Sequence, residues 1–552
     1  MAAWARMGMA VVAALGLAIF ATTPPAPAPA SAPAGQFSAG RAMADVAVMA
    51  ARPHPTGSAA NAEVRAYLAR RMQALGMEVS TRTAALDAEA AKRLAKWSGD
   101  ASASPPLVSL VGILPGTDRK APALLLLAHH DSVWGSPGAA DDTAGVASAL
   151  EVVRALKARG PVRRDIVVLL TDGEELGLQG ARAFFAGDPL LAHIGAIINM
   201  EARGGGGRTT LFQTSRGNGE AVALFARAVE RPAGNSLAAF LYSVLPNDTA
   251  LSVALKGPWL AYNFAFIGRA GLYHSPKATP ERLDQGALQD MGAQVLALSA
   301  ALDAAPQIPA RAPDVAFFDL FGLLTVHYSA WAGWLILAGA ALGLGMVARG
   351  QAGLGRGALR MAGLIGGVAL SLAALNALAL AGTGASYYDK LAAIPLIEVM
   401  AGGWCLAALL WFLGPTPLAR GQVVGAALVL LVLALVAQVL APTTAHLLEW
   451  PLALLALGLA VPGMAVVGAV YTTATMLALG HFVMQGVGPD FPEVAALPLA
   501  LAALSLAPLW PGLGGRARRR VWVALLVLAL GTGLWIRTHA YADTAAVYAK
   551  RG

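Results

Sequence analysis

Residues 123–132 read Ala123-Leu-Leu-Leu-Leu-Ala128-His129-His130-Asp131-Ser132. An apolar run of strand length ends abruptly in two histidines and an aspartate. An amphipathic helical stretch follows at 143–159, and further strand-length apolar runs occur at 107–113, 165–170, 194–199 and 258–266. Other helical stretches fall at 59–75, 218–230 and 286–302. Strands separated by helices predict an α/β fold with a doubly wound, mostly parallel sheet. Such sheets bind ligands at the carboxyl ends of their strands, where His129 and Asp131 fall.

The rest of the chain is of another kind. Of 552 residues, 57% are hydrophobic and 13% charged, against about 25% charged in a typical soluble domain. Mean hydropathy is +0.59. Residues 1–320 hold 28 Lys/Arg and 26 Asp/Glu, and residues 321–552 hold 12 and 6. This pattern excludes disorder driven by low hydrophobicity and predicts an exported soluble part followed by a membrane part. Most of the +8 net charge lies in short loops between apolar runs. It reads as the positive-inside bias of a membrane protein, with no nucleic-acid partner implied. The one cysteine, Cys405, permits no intramolecular disulfide.

The predicted organisation has four parts. Residues 1–36 are a signal peptide or signal anchor plus a Pro/Ala linker, since the apolar run from Met7 to about Thr22 is short for a span of ~20 residues. Residues 37–304 are the α/β domain, and 305–320 a Pro-rich linker. Residues 321–552 form an all-α membrane domain of about eight spans, near 326–348, 361–381, 391–413, 422–441, two in 447–487 that turn near Pro462-Gly463, 493–510 and 520–537. Arginines 349, 356, 360, 420, 516 and 518–520 then lie in the cytoplasm, with the α/β domain on the opposite side.

Five motifs end strands or open loops in the α/β part. His129 is a candidate ligand, with Asp131 fixing its second ring nitrogen. Asp141-Asp142-Thr-Ala-Gly145 opens a helix, and either aspartate suits helix capping as well as metal bridging. Thr171-Asp-Gly-Glu174-Glu175 supplies adjacent glutamates that can divide ligation and proton transfer. Asn199-Met-Glu201 and Tyr273-His274 add a carboxylate and a late imidazole. Each alone fits an ordinary surface turn. Together they make an N/O donor set suited to two zinc ions, with His129 and Glu201 on one, Glu175 and His274 on the other, and Asp141 between.

In this order the motifs resemble the M28 family of zinc metallopeptidases, over residues 50–300. The resemblance implies Glu174 as general base, His129, Asp141, Glu175, Glu201 and His274 as ligands, and two Zn²⁺ ions as cofactors. It selects Asp141 over Asp142 as the bridge. Arg52-Pro-His-Pro-Thr-Gly-Ser58 is also similar to a segment of that family. The Glu201-Ala-Arg203-Gly204 and Pro246-Asn-Asp248-Thr249 segments, with the membrane half, resemble the endoplasmic reticulum metallopeptidase and vacuolar membrane protease type. The sequence departs from that type at His130 and Ala250, neither a ligand.

The resemblance implies an aminopeptidase; residue usage rich in Ala, Gly, Arg and Pro and the loop charges place it in a bacterial inner membrane, with its peptidase domain on the periplasmic or extracellular side. Peptide substrates and the lipid bilayer are its partners, with oligomeric state open. Arg203 is a candidate for a substrate carboxylate or for steadying Glu201, and Asp248 for a substrate amine or the His274 loop. The alternatives are a transport or binding protein with an inactive hydrolase-like domain, and a glutaminyl cyclase. Glu398 and His481 lie deep in predicted spans and suit a cavity or a pair, whereas His446 and Glu449 suit a helix start.

Overall fold

The computed structural model describes residues 2–102, 104–244 and 248–539. These form two compact units, residues 23–327 and residues 2–22 with 328–539.

The first unit is built on a seven-stranded sheet. Its strands are β1 (Glu78–Ala84), β2 (Leu107–Leu114), β3 (Ala123–His129), β4 (Ile166–Thr171), β5 (Ile194–Ala202), β6 (Gly206–Thr214) and β7 (Leu260–Gly268). Their order is β1-β2-β4-β3-β5-β7-β6. The central β4, β3, β5 and β7 are parallel, and the remaining pairings are antiparallel.

Alternate residues of the central strands face opposite layers, as a two-residue period requires. Leu124, Leu126 and Ala128 pack with helices Ala39–Met49, Ala59–Ala74, Thr143–Arg159 and Gln285–Ala304. Leu125 and Leu127 pack against Leu178, Ala181, Phe184 and Leu251 on the other face. Burying each such leucine contributes about 1.5–3 kcal/mol. The three-layer arrangement makes the sheet doubly wound, as predicted. β3 has β4 on one side and β5 on the other, so the strand order reverses there. A crevice at that reversal is where open α/β sheets hold ligands.

β1 and β6 were not anticipated. The Pro/Ala stretch is tied to its own unit rather than free. Ala28 N donates to Gln289 Oε1 at 3.0 Å, and Arg41 Nη1 donates to the carbonyls of Ala30 and Ala32 at 2.8 and 2.7 Å. The segment after the last helix is held too, with Arg164 Nη2 donating to the Ala305 carbonyl at 2.6 Å.

The second unit is all helix apart from its first residues. Helices Ala332–Ala348, Leu354–Leu380, Tyr387–Leu413, Arg420–Leu440, His446–Ala460, Pro462–Val487, Ala496–Leu506 and Gly515–Thr538 follow the predicted runs one for one. The break at Val461 falls beside the expected turn. Seven helical segments among the described residues are long and apolar enough to cross a membrane, Ala496–Leu506 only with the 3-10 turns that extend it to Pro492–Leu509, and Ala332–Ala348 and His446–Ala460 are shorter. The N-terminal helix runs Ala2–Thr22 and is one of the seven. It starts five residues before the apolar run because Ala-Ala-Trp-Ala-Arg continues it, so the segment is longer than expected. Its Ala10, Ala14, Ala18 and Ala21 are buried within this unit, and Trp4 meets Trp510 edge-on at 5.5 Å. Leu359 and Leu370 point outward at 76% exposure, a surface suited to lipid rather than water. Cys405 is half-buried.

Candidate metal centre

The candidate residues converge at the carboxyl ends of β3, β4 and β5. His129 ends β3, fully buried. Its Nδ1 faces the Asp131 carbonyl at 2.9 Å, which places the proton on Nδ1 and turns Nε2 into the crevice. Nε2 lies 3.1 Å from Asp141 Oδ1 and 3.8 Å from both Glu174 Oε2 and Glu201 Oε2. His274 Nε2 lies 3.2 Å from Asp141 Oδ2 and 3.2 Å from Glu175 Oε2. The two oxygens of Asp141 therefore serve two different imidazoles.

The donor atoms form overlapping groups within 4.8 Å of one another. One is His129, Asp141 and Glu201. Another is Asp141, Glu175 and His274. A third joins His129, Glu174 and Glu175. Glu175 Oε1 and Glu201 Oε1 are buried and accept no hydrogen bond among the described residues. Buried carboxylate oxygens without donors cost free energy unless a cation takes them. The residues present thus fit a pair of divalent ions sharing Asp141.

The loops are held by a second layer of contacts. Asp131 Oδ1 and Oδ2 accept the backbone N–H groups of Glu174 and Glu175 at 3.1 and 3.3 Å. Its carboxylate thus fixes the glutamate pair, while its carbonyl fixes the His129 tautomer. Asp142 caps no backbone N–H of the following helix with its side chain. Its Oδ2 accepts from His129 N at 3.1 Å instead. Gly145 leaves it room, since a Cβ there would collide with the Asp142 carboxylate.

Electrostatics follow from burial. Burial pushes the Glu174 carboxyl up to about 8, with Glu175 and Asp141 adding to the rise against the pull of His129. Burial likewise raises Glu175 and Glu201. It also opposes ionisation of Asp141, but hydrogen bonds from His129 and His274 hold that carboxyl down at about 2. Burial disfavours the His129 cation too, yet Glu174, Asp131 and Asp141 hold it well above an ordinary histidine.

Other residues fall elsewhere. Arg203 Cζ lies 5.9 Å from the centre of the Tyr273 ring, which stacks on His274 at 3.7 Å. The column braces His274, whose φ of +53° is in the left-handed region. Asp248 is exposed and outside the three groups. Pro246 and Asn247 lie outside the described residues. His130 is buried, with Nε2 3.0 Å from the Val108 carbonyl and Nδ1 3.3 Å from Asn61 Nδ2. Ala250 is buried at the start of a short helix.

Sequence reasoning missed three residues. Thr56 Oγ1 reaches Asp131 Oδ2 at 3.2 Å and Asp172 Oδ1 at 2.9 Å. Asp172 is fully buried and accepts from Val108 N at 3.0 Å. Tyr242 lies near Glu201; burial first, and the Glu201 charge second, push its ionisation upward. Thr56 and Asp172 stood in recognised motifs, but the fold alone pairs them.

Residues 109–299 match the family described as Peptidase family M28. Over that stretch the chain is similar to the M28 peptidases. This domain is 31% identical over 238 residues to endoplasmic reticulum metallopeptidase 1 of Mus musculus, covering 42% of this chain and 26% of that protein. It is 29% identical over 306 residues to the vacuolar membrane protease of Eremothecium gossypii, covering 52% of this chain and 29% of that protein. The match spans about a quarter of the length of such relatives. Among solved structures, this domain is similar to an aminopeptidase from Aneurinibacillus sp. strain AM-1. That likeness has a TM-score of 0.39 and 13% identity, and covers 51% of this chain and 97% of that one.

Proposed function

We propose that the chain is a membrane-bound, two-zinc aminopeptidase whose active site faces away from the cytoplasm. The observation that carries this reading is the Asp141 carboxylate set between His129 and His274, with Glu201 and Glu175 beside them. Zinc there supplies Lewis acidity, polarising a carbonyl and making water more acidic. His129, Asp141 and Glu201 would hold one ion, and Asp141, Glu175 and His274 the other. Asp131, Thr56 and Asp142 keep those donors in register. Glu174 takes the proton from the attacking water and delivers it to the leaving nitrogen as the C–N bond breaks. A carboxyl pushed up to about 8 suits both roles near neutral pH.

The topology reading rests on the arginines between apolar helices and on the outward leucines. All five ligands and the base are present, which disfavours an inactive domain serving a transporter. The test is a panel of free and N-blocked peptides given to the zinc-loaded full chain in detergent. Release of N-terminal residues from free but not blocked peptides supports the reading. Cleavage of blocked peptides, or cyclisation of N-terminal glutamine without hydrolysis, would replace it.

A further inference from the structure

The membrane unit contains a second set of buried polar groups, unrelated to the metal centre. Glu449 and Gln438 are 0% and 2% exposed. Glu449 Oε2 accepts from the Tyr328 hydroxyl at 2.7 Å. Gln438 Nε2 donates to the Ala330 carbonyl at 2.7 Å. That bond fixes the amide, because the flipped form would set Oε1 against a carbonyl oxygen. Gln438 Oε1 and Glu449 Oε1 are thereby left with no donor among the described residues. Both converge on Gly333. A Cβ there would collide with Glu449 Oε1 and stand 2.7 Å from Gln438 Oε1.

Two acceptor oxygens meeting in a buried site are costly while unpaired, and an ionised carboxylate costs more. No countercharge comes from the surrounding helices. Ala332–Ala348 and Ala496–Leu506 contain no ionisable side chain. Arg420–Leu440 contains only Arg420, about 27 Å from Gln438 along the axis at ~1.5 Å per residue. Pro462–Val487 contains Tyr471 and His481, and His481 Nδ1 is engaged by Glu398 at 2.8 Å. On its own helix, Glu449 has His446, whose Nδ1 faces the Thr443 carbonyl at 3.1 Å.

We propose that Glu449 is a proton-binding site of the membrane unit, its carboxyl group held protonated and donating to Gln438 Oε1 while accepting from Tyr328. One proton then satisfies both facing oxygens and ties the ends of helices Ala332–Ala348, Arg420–Leu440 and His446–Ala460 together. Loss of the proton sets a carboxylate against the Gln438 oxygen and loosens that joint.

The test uses zinc-loaded full chain in detergent, with Glu449→Gln and Tyr328→Phe. Glutamine mimics the neutral acid, donating from its amide and accepting at its carbonyl. The infrared difference between wild type and Glu449→Gln is expected to show a protonated carboxylic acid C=O band near neutral pH. Tyr328→Phe should move that band to higher frequency by removing its hydrogen bond. Absence of the band overturns the proposal, as does a band unmoved by Tyr328→Phe. Stabilisation of wild type but not Glu449→Gln by sodium or potassium at fixed ionic strength would show a cation between the oxygens, and overturn it too. Should Glu449→Gln not fold, the band in wild type and its shift in Tyr328→Phe decide.

Discussion

Asp141 concentrates the chemistry because its two oxygens meet two imidazoles, and what surrounds it decides whether metal can bind. Thr56 lies between the carboxylates of Asp131 and Asp172, so Thr56→Val removes the one hydroxyl proton that the two share. A loss of about 1–3 kcal/mol in unfolding free energy is expected, read by denaturant titration of the full chain. The electrostatics of the site give a second expectation. Glu174, Glu175, Glu201 and His129 all hold protons more tightly in the folded, metal-free site than in an unfolded chain. The zinc-free protein should therefore lose stability as pH rises from about 4.3 toward the Glu174 value of about 8. Zinc must displace those protons, so zinc affinity should rise over the same range. Melting curves with and without zinc across that range check both slopes, and parallel slopes would contradict the assignment. The residues themselves were legible because the motifs hold unusual types in close spacing. The division of labour around Asp131 was not. Its backbone carbonyl, which no side-chain pattern reveals, does the work expected mainly of its carboxylate.

The β3–loop–helix segment shows how local structure sets the site. Its apolar run and the following helix, Thr143–Arg159, were readable to within a residue or two, since both are buried and strongly patterned. The edge strands were not. β1, Glu-Val-Ser-Thr-Arg-Thr-Ala, is largely exposed and carries no apolar run, and β6 mixes glycines with polar residues. β1 faces water, so the sheet lends it little hydrophobic signal, whereas β6 is covered and hides behind polar residues such as Arg208, which pairs with the buried Asp290. Helix capping by the acidic loop was a reasonable expectation from composition, yet Asp142 turns back to the His129 amide. Gly145→Ala tests this arrangement, because the added methyl collides with the Asp142 carboxylate. The variant is expected to bind zinc at least about 10-fold more weakly, as when residues supporting metal ligands are disturbed. Competition with a chelator reads the change, and unaltered affinity would show that Asp142 does not position His129.

The two units differ in solvent. One buries a layered core, and the other leaves leucines outward on apolar helices. The charge asymmetry along the chain foretold that difference, and helix lengths settled which runs are short. The N-terminal helix is long enough to span, buries four alanines within the membrane unit, and is followed by a Pro/Ala stretch bound by Gln289 and Arg41. Cleavage in 26–34 would forfeit those contacts. A tryptic peptide running from Met7 to Arg41 is therefore expected from the purified membrane protein, and a new N-terminus in 26–34 would contradict retention. The most direct test of the whole account is peptide turnover by wild type and Glu174→Gln at matched zinc content, counted by native mass spectrometry. Two zinc ions per chain in both proteins, with turnover reduced by about 10²–10⁴ in the variant, is the predicted result. Equal turnover in the two proteins, or one zinc per fully active chain, would contradict it.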